Sequence, residues 1–145
     1  MDVVKIKDSK WLVENCPGIR NIATHRYSNQ YKDHEYLGLP DSAYVRQLKE
    51  GDKVDDGHLP ALTGDEMYRV LPSSIFYKGE EYFKVLEDLG ENLVIKYQRI
   101  NLTFGNKELL EILVVDHVGL ISIGKSMADI CFDLMTRLYE VGLGS

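Results

Sequence analysis

Apolar positions along this chain fall into regular periods from residue 59 onward, where spacings of about 3.6 and 2 predict helix, strands and helix in that order. Thr63-Gly-Asp-Glu66 is a capping box, in which the Thr side chain accepts from the Glu66 amide and the Glu66 carboxylate reaches back. Met67, Val70 and Leu71 then share a face and Pro72 stops the chain, which predicts an N-side helix over about 64–71. Runs rich in β-branched and aromatic residues come next, at 74–77, 82–86, 93–104 and 109–115, broken by Lys78-Gly79, by 88–92 and by Gly105-Asn-Lys107. Links this short force antiparallel neighbours, because parallel pairing needs a crossover of about a dozen residues. Ser126 with Asp129 three places on opens a last helix over about 126–141. Its stripe is Met127, Ile130, Cys131, Leu134, Leu138 and Val141, and Gly142 closes it. The fold class is therefore α+β, with an antiparallel sheet of about four strands between two helices that lie on its faces.

Residues 1–58 carry weaker signals. Val3, Val4 and Ile6 suit a short strand, and Asp8-Ser9 suits the cap of one or two helical turns through Trp11, Leu12 and Val13, ended by Cys16-Pro17-Gly18. The stretch 20–38 has no sustained period, Asp41-Ser42 precedes a short helix candidate at 43–50, and 51–57 is a polar, glycine-bounded linker. The organisation expected is one domain over 1–145, with an irregular N-terminal elaboration (1–58) on a helix–sheet–helix core (59–145).

Composition narrows the function classes. With 44% hydrophobic and 28% charged residues among 145, the chain is of the folded, globular type and of a size that buries roughly two-thirds of its unfolded surface. No run approaches the ~18 apolar residues of a membrane span, and Met1-Asp-Val-Val-Lys-Ile-Lys is too polar for a secretory signal. Two cysteines, Cys16 and Cys131, indicate no disulfide framework and fit a reducing, cytoplasmic setting. The net charge of −6 is uneven, −1 over 1–58 and −5 over 59–145. It supplies no overall basic surface of the kind that displaces counterions from nucleic acid.

Two stretches taken together resemble a known group. Leu59-Pro-Ala-Leu-Thr63 with Tyr68-Arg-Val-Leu-Pro72, Ile75 and Tyr82 is one; Ser126-Met-Ala-Asp129 with Leu134-Met-Thr-Arg-Leu138-Tyr-Glu140-Val-Gly142 is the other. The pairing is similar to small uncharacterised proteins encoded by phages and prophages of gut, Bacteroides-like bacteria, across residues 59–142 only. In that group an "LPA-[LY]-T…LP" helix opens the domain and an "S-x-A-D-A…L…WL-x-ENG" helix closes it. Arg137 stands here in place of the usual aromatic residue and Val141 in place of the usual Asn. The resemblance implies an α+β sandwich from a mobile element and carries no activity.

The segment Gly119-Leu-Ile-Ser-Ile-Gly124-Lys125-Ser126 matches the phosphate-binding pattern GxxxxGK[ST] letter for letter. It makes Gly119, Gly124, Lys125 and Ser126 nucleotide-binding candidates. Its context argues against that use. A phosphate loop wraps its ligand in backbone N–H groups, which needs glycine-like freedom, whereas Ile121 and Ile123 resist positive φ. Ser126 leads into a single helix and not into the parallel strands that deliver the acidic Mg²⁺ ligand. The alternative is an exit from the sheet into a helix cap.

Catalytic patterns are otherwise sparse. His25, His34, His58 and His117 show no i,i+4 pair for zinc, and Asp33-His34-Glu35 and Asp116-His117 place neighbours that point apart. Asp52, Asp55 and Asp56 do not meet the calcium-loop pattern. Cys131 falls on a core stripe, and no Gly-x-Ser-x-Gly elbow occurs. These readings point to no metal and no cofactor. The best contact surface is the tyrosine-rich stretch 26–36. Arg26, Tyr27, Tyr31, Lys32 and Tyr36 interleave cations with rings, as protein interface hot spots do and as platforms for single-stranded nucleic acid also do. The expectation is a cytoplasmic, non-enzymatic accessory protein with a protein partner, no membrane association and little affinity for nucleic acid. An uncovered edge strand would also serve a homo-dimer.

Overall fold

The computed structural model describes residues 1–99 and 120–143. Within them lie three α-helices, a four-stranded antiparallel sheet and a two-stranded ribbon, the expected α+β architecture. Helix α1 spans Ile6–Asn15, ribbon strands β1 and β2 span His25–Tyr27 and Val45–Gln47, and helix α2 spans Gly64–Val70. The sheet comprises β3 (Ser74–Tyr77), β4 (Glu80–Asp88), β5 (Leu93–Gln98) and β6 (Ile121–Gly124), hydrogen-bonded in that order, and α3 (Met127–Glu140) closes the fold.

Local chemistry explains most of these boundaries. Thr63 Oγ1 accepts from the Glu66 amide at 3.2 Å and Glu66 Oε1 from the Thr63 amide at 2.9 Å, so the capping box forms as the residues predict. Ser126 caps α3 by accepting from the Asp129 amide at 3.1 Å. Lys78 and Gly79, at φ 51° and 83°, form the two-residue turn that joins β3 to β4, where the right-handed strand twist requires positive φ at both positions.

Register shows which face is covered. The pairs Ile75↔Tyr82, Lys84↔Tyr97, Leu86↔Ile95 and Ile95↔Ser122 each place both members on one side of the sheet. Both α2 and α3 contact that side. Ser122 Oγ donates to Asp133 at 2.8 Å on α3, Tyr97 Oη donates to the Pro72 carbonyl at 2.6 Å, and Lys84 Nζ donates to the Tyr68 and Leu71 carbonyls at 2.6 and 3.0 Å. The two helices thus pack against each other on a single face, and the lysine satisfies last-turn carbonyls of α2 that lack helical partners.

The core is continuous from the N-terminal residues to the last helix. Val4, Leu12, Cys16, Ile19 and Ala23 join Leu62, Met67, Leu71, Ile95, Tyr97, Leu134 and Leu138 in one buried cluster. Buried Glu66 adds a polar tie, since its second oxygen accepts from the Thr24 amide at 3.0 Å. A smaller cluster of Tyr27, Tyr31, Tyr44 and Ala61 sits under the N-terminal loops.

Several expectations need correction. Helix α1 starts at Ile6, and Ser9 is not its cap but a buried hydroxyl that donates to the Pro60 carbonyl at 2.6 Å. The first α1 amide, Ile6 N, is instead satisfied by Asp41 Oδ2 at 2.9 Å, a cap from 35 residues away. Val3 makes a single bridge to Thr63 rather than a strand. The helix expected at 43–50 is a 3₁₀ turn, Asp41–Tyr44, running into β2, because pairing with β1 satisfies more backbone groups than one helical turn would. The fourth strand of the described sheet is Ile121–Gly124. The strand expected at 109–115, the end of the 93–104 run, the Gly105-Asn-Lys107 turn, Asp116-His117 and Gly119 lie outside the described residues.

Candidate functional site

The described part of the phosphate-loop-like segment, 120–126, comes to the front of α3 as strand and helix cap, with no anion cradle among these residues. Ile121–Gly124 pairs residue by residue with Lys96, Ile95, Val94 and Leu93, so these residues run as an extended strand rather than curling round a ligand. Gly124 is needed for closeness: a Cβ there would lie 2.8 Å from Ile130 Cγ2, inside contact distance, where the strand meets the helix. The N-terminus of α3 already has its anion. The Asp2 carboxylate accepts from Ser126 Oγ at 2.5 Å and from the Ala128 amide at 3.2 Å, the position a bound phosphate would take. Beside it, a groove of about 400 Å³ is lined by Lys125 together with Asp129 and Asp133, two carboxylates that oppose a second anion. Gly124, Lys125 and Ser126 therefore serve as strand end, exposed link and helix cap.

The tyrosine-rich stretch divides between core and surface. Tyr27 is wholly buried, and its hydroxyl donates to the Val4 carbonyl at 2.5 Å. It is a clamp on the N-terminal segment and not a contact residue, which corrects its place among the binding candidates. Arg26 faces a different groove, shared with Leu48, Asp52, Lys53 and Asp55. Tyr31, 8% exposed, sits in the 3₁₀ turn Asn29–Lys32, which Ser28 caps by accepting from the Gln30 amide at 3.3 Å. Burial and then the charge of Glu35 push its phenol above the usual range, so it stays a neutral donor. Lys32 and Tyr36 are exposed, Tyr36 at 83%.

Around Tyr31 the fold assembles a site that the sequence separates. One groove, of about 360 Å³, runs between α1 and the 31–44 segment, walled by Lys7 and Lys10 on one side and by His34, Leu39 and Tyr44 on the other. A second, of about 290 Å³, continues past Lys10 and Tyr31 to Lys32, Arg20 and His58. The ammonium groups of Lys10 and Lys32 stand 5.8 and 5.9 Å from the centre of the Tyr31 ring, within cation–π range. Tyr44 packs edge-on against Tyr31 at 6.3 Å and beneath His34 at 6.2 Å. At the rim, the turn Glu35–Leu37 and Gly38, at φ 64°, hold Tyr36, Leu37 and Leu39 outward, the latter two 50% and 48% exposed.

Lys7, Lys10, Leu37, Leu39 and Tyr44 are residues that sequence reasoning misses. Lys7 and Lys10 are three apart and share a face of α1, a spacing that becomes informative once that helix is placed. Tyr36-Leu-Gly-Leu39 is legible as an apolar run inside a polar loop.

Among the described residues no cluster of three His, Cys, Asp or Glu side chains is placed to hold a metal ion. Burial pushes the Cys131 thiol up to about 12, which keeps it protonated and unreactive. Cys16 Sγ lies 3.5 Å from Tyr139 Oη, whose hydroxyl donates to the Asn15 carbonyl at 2.6 Å, a packing contact between α1 and α3. No protein-family model, no curated protein and no solved structure matches this chain.

Proposed function

We propose that this is a non-enzymatic accessory protein of phage or prophage origin, working in the bacterial cytoplasm by binding another protein, a host or defence factor. The observation that carries this reading is the exposed run Tyr36, Leu37 and Leu39, of which Leu39 lines the Tyr31 groove. Large apolar side chains grouped beside a concavity favour macromolecular contact, because water is released when a partner covers them. The origin rests on the resemblance of residues 59–142. The cytoplasmic setting rests on the two unpaired cysteines and is compatible with the absence, among the described residues, of any helix long and apolar enough to cross a membrane.

The test is affinity capture from Bacteroides-type host lysate with the wild-type chain and with a Tyr36→Ala/Leu37→Ala/Leu39→Ala variant on parallel resins. The wild type retains one or more host proteins that the variant loses, while both melt at the same temperature. Identical retention by the two resins refutes this surface as the binding site.

A further inference from the structure

The chain carries a net charge of −6, yet the two grooves that meet at Tyr31 gather Lys7, Lys10, Lys32 and Arg20. These come from three separate parts of the sequence, so no local basic run announces them. Arg20 is tied down, with Nε and Nη2 each donating at 3.0 Å to the carbonyls of His58 and Asp56. The lysines are free to engage a ligand. The ion pairs of the described residues use Lys5, Lys96, Arg99 and Arg137, and none involves Lys7, Lys10 or Lys32. All three ammonium-bearing side chains are exposed, at the edge of an aromatic and aliphatic floor.

Building on the protein-binding reading above, we infer that this groove takes a short acidic segment of a partner protein, its carboxylates on Lys7, Lys10 and Lys32 and an apolar side chain against Leu39. Charge complementarity selects the occupant. Unpaired lysines over a half-apolar trough are matched by a segment that alternates carboxylates with apolar residues. An extended segment repeats its side chains every ~6.8 Å on one face, which suits cations on the groove margin with an anchor between them. The groove's own carboxylates set the limit. Asp41 is engaged by the Ile6 amide, Asp8 lies beside Lys7, Asp56 lies beyond Arg20, and Glu35 is the exposed acid that competes for the lysines.

A single-stranded nucleic acid fits worse. Base recognition needs an open ring face, and Tyr31 is 8% exposed with Tyr44 against it and lysines on its flanks. The strongly acidic remainder of the chain also repels a long polyanion.

The test is fluorescence anisotropy with a fluorescein-labelled peptide repeating Glu-Leu-Glu-Tyr, its Gln-for-Glu counterpart, and labelled oligothymidylate. The Glu peptide binds, and the Gln peptide binds about tenfold more weakly. Lys7→Gln/Lys10→Gln lowers affinity for the Glu peptide by a similar factor without moving the melting temperature, and Glu35→Gln raises it a few-fold. The inference is overturned if the Glu and Gln peptides bind alike, if the lysine variant binds as wild type, if oligothymidylate binds more tightly, or if the Glu peptide does not bind. If the Tyr36/Leu37/Leu39 variant loses its captured protein while the lysine variant keeps it, the binding reading stands and the acidic occupant falls.

Discussion

Tyr27 and Tyr44 lie in the same small cluster and are both deeply buried, yet removing their hydroxyls should act in opposite directions. Tyr27 Oη donates to the carbonyl of Val4, a residue with no solvent exposure, and that carbonyl belongs to the segment whose Val4 amide pairs with Leu62 at 2.9 Å. Tyr27→Phe leaves this acceptor buried and unsatisfied, which costs about 1–3 kcal/mol. The Tyr44 hydroxyl has no hydrogen-bond partner among the described residues. Tyr44→Phe therefore removes a group that is desolvated without compensation, and the change is neutral or stabilising by up to about 1 kcal/mol. With an unfolding entropy of ~2.1 cal/mol/K per residue, a chain of 145 residues shifts its melting temperature by about 3 °C per kcal/mol. Thermal melts by circular dichroism should place Tyr27→Phe about 3–10 °C below wild type and Tyr44→Phe level with it or a few degrees above. Urea titrations with unchanged slopes would confirm that native-state stability is what moved. Equal losses for the two variants would refute the reasoning, because both rings stay and only the hydrogen-bond status differs. The pair also shows why Tyr27→Ala is a poor interface probe. It empties a core site at a cost of about 3–5 kcal/mol, and lost binding would then report unfolding.

Two further outcomes concern the front of α3 and its core face. Asp2→Ala removes the carboxylate from the helix N-terminus and should lower stability by about 0.5–2 kcal/mol, with Asp2→Asn intermediate. Neither variant should be stabilised by ATP or GTP, and nucleotide-dependent stabilisation that Lys125→Ala abolishes would restore the phosphate-loop reading. Cys131, raised by burial from 9.0 to about 12, has a folded-state pKa above its unfolded one. Its contribution is complete below pH 9 and declines by about 1.4 kcal/mol per pH unit between those values, as the unfolded thiol ionises first. Urea midpoints at pH 8 to 10 should converge between wild type and Cys131→Ala as pH rises. Lys84, whose pKa burial lowers and whose charge is coupled to Cys131, acts with the opposite sign. A constant difference would show that the thiol is not held protonated.

Legibility in the sequence depends on the distance over which each element is specified. Helices α2 and α3 carry their own caps, stripes and stops, so their limits are set by the residues beside them. The β3–β4 hairpin is likewise set by Lys78-Gly79. The start of helix α1 is hidden because its first amide is satisfied by Asp41, outside any local window. Residues 43–50 mislead for a related reason: an amphipathic spacing over one or two turns is too short to outweigh strand pairing, and that pairing is to β1. Tyrosine content locates the candidate region but does not divide Tyr27, inside, from Tyr36, outside. Neither falls in a sustained apolar period, and the turns at Asn29–Lys32 and Glu35–Leu37 separate them.

Electrostatics then links the fold to the kind of partner it admits. At physiological ionic strength charges are screened over about 8 Å, so a ligand in the groove senses the lysines beside it more than charges farther away. Lys10 and Lys32, 5.8 and 5.9 Å from the Tyr31 centroid, fall inside that length. A long polyanion cannot confine itself to it and meets the chain's net charge of −6 along most of its length. A short acidic peptide meets chiefly the groove's own acids, of which Glu35 is the exposed one. The same −1 total over residues 1–58 that conceals a basic groove in the sequence makes that groove selective, because cations concentrated at one place on an acidic body favour a small, local set of carboxylates over extended phosphates.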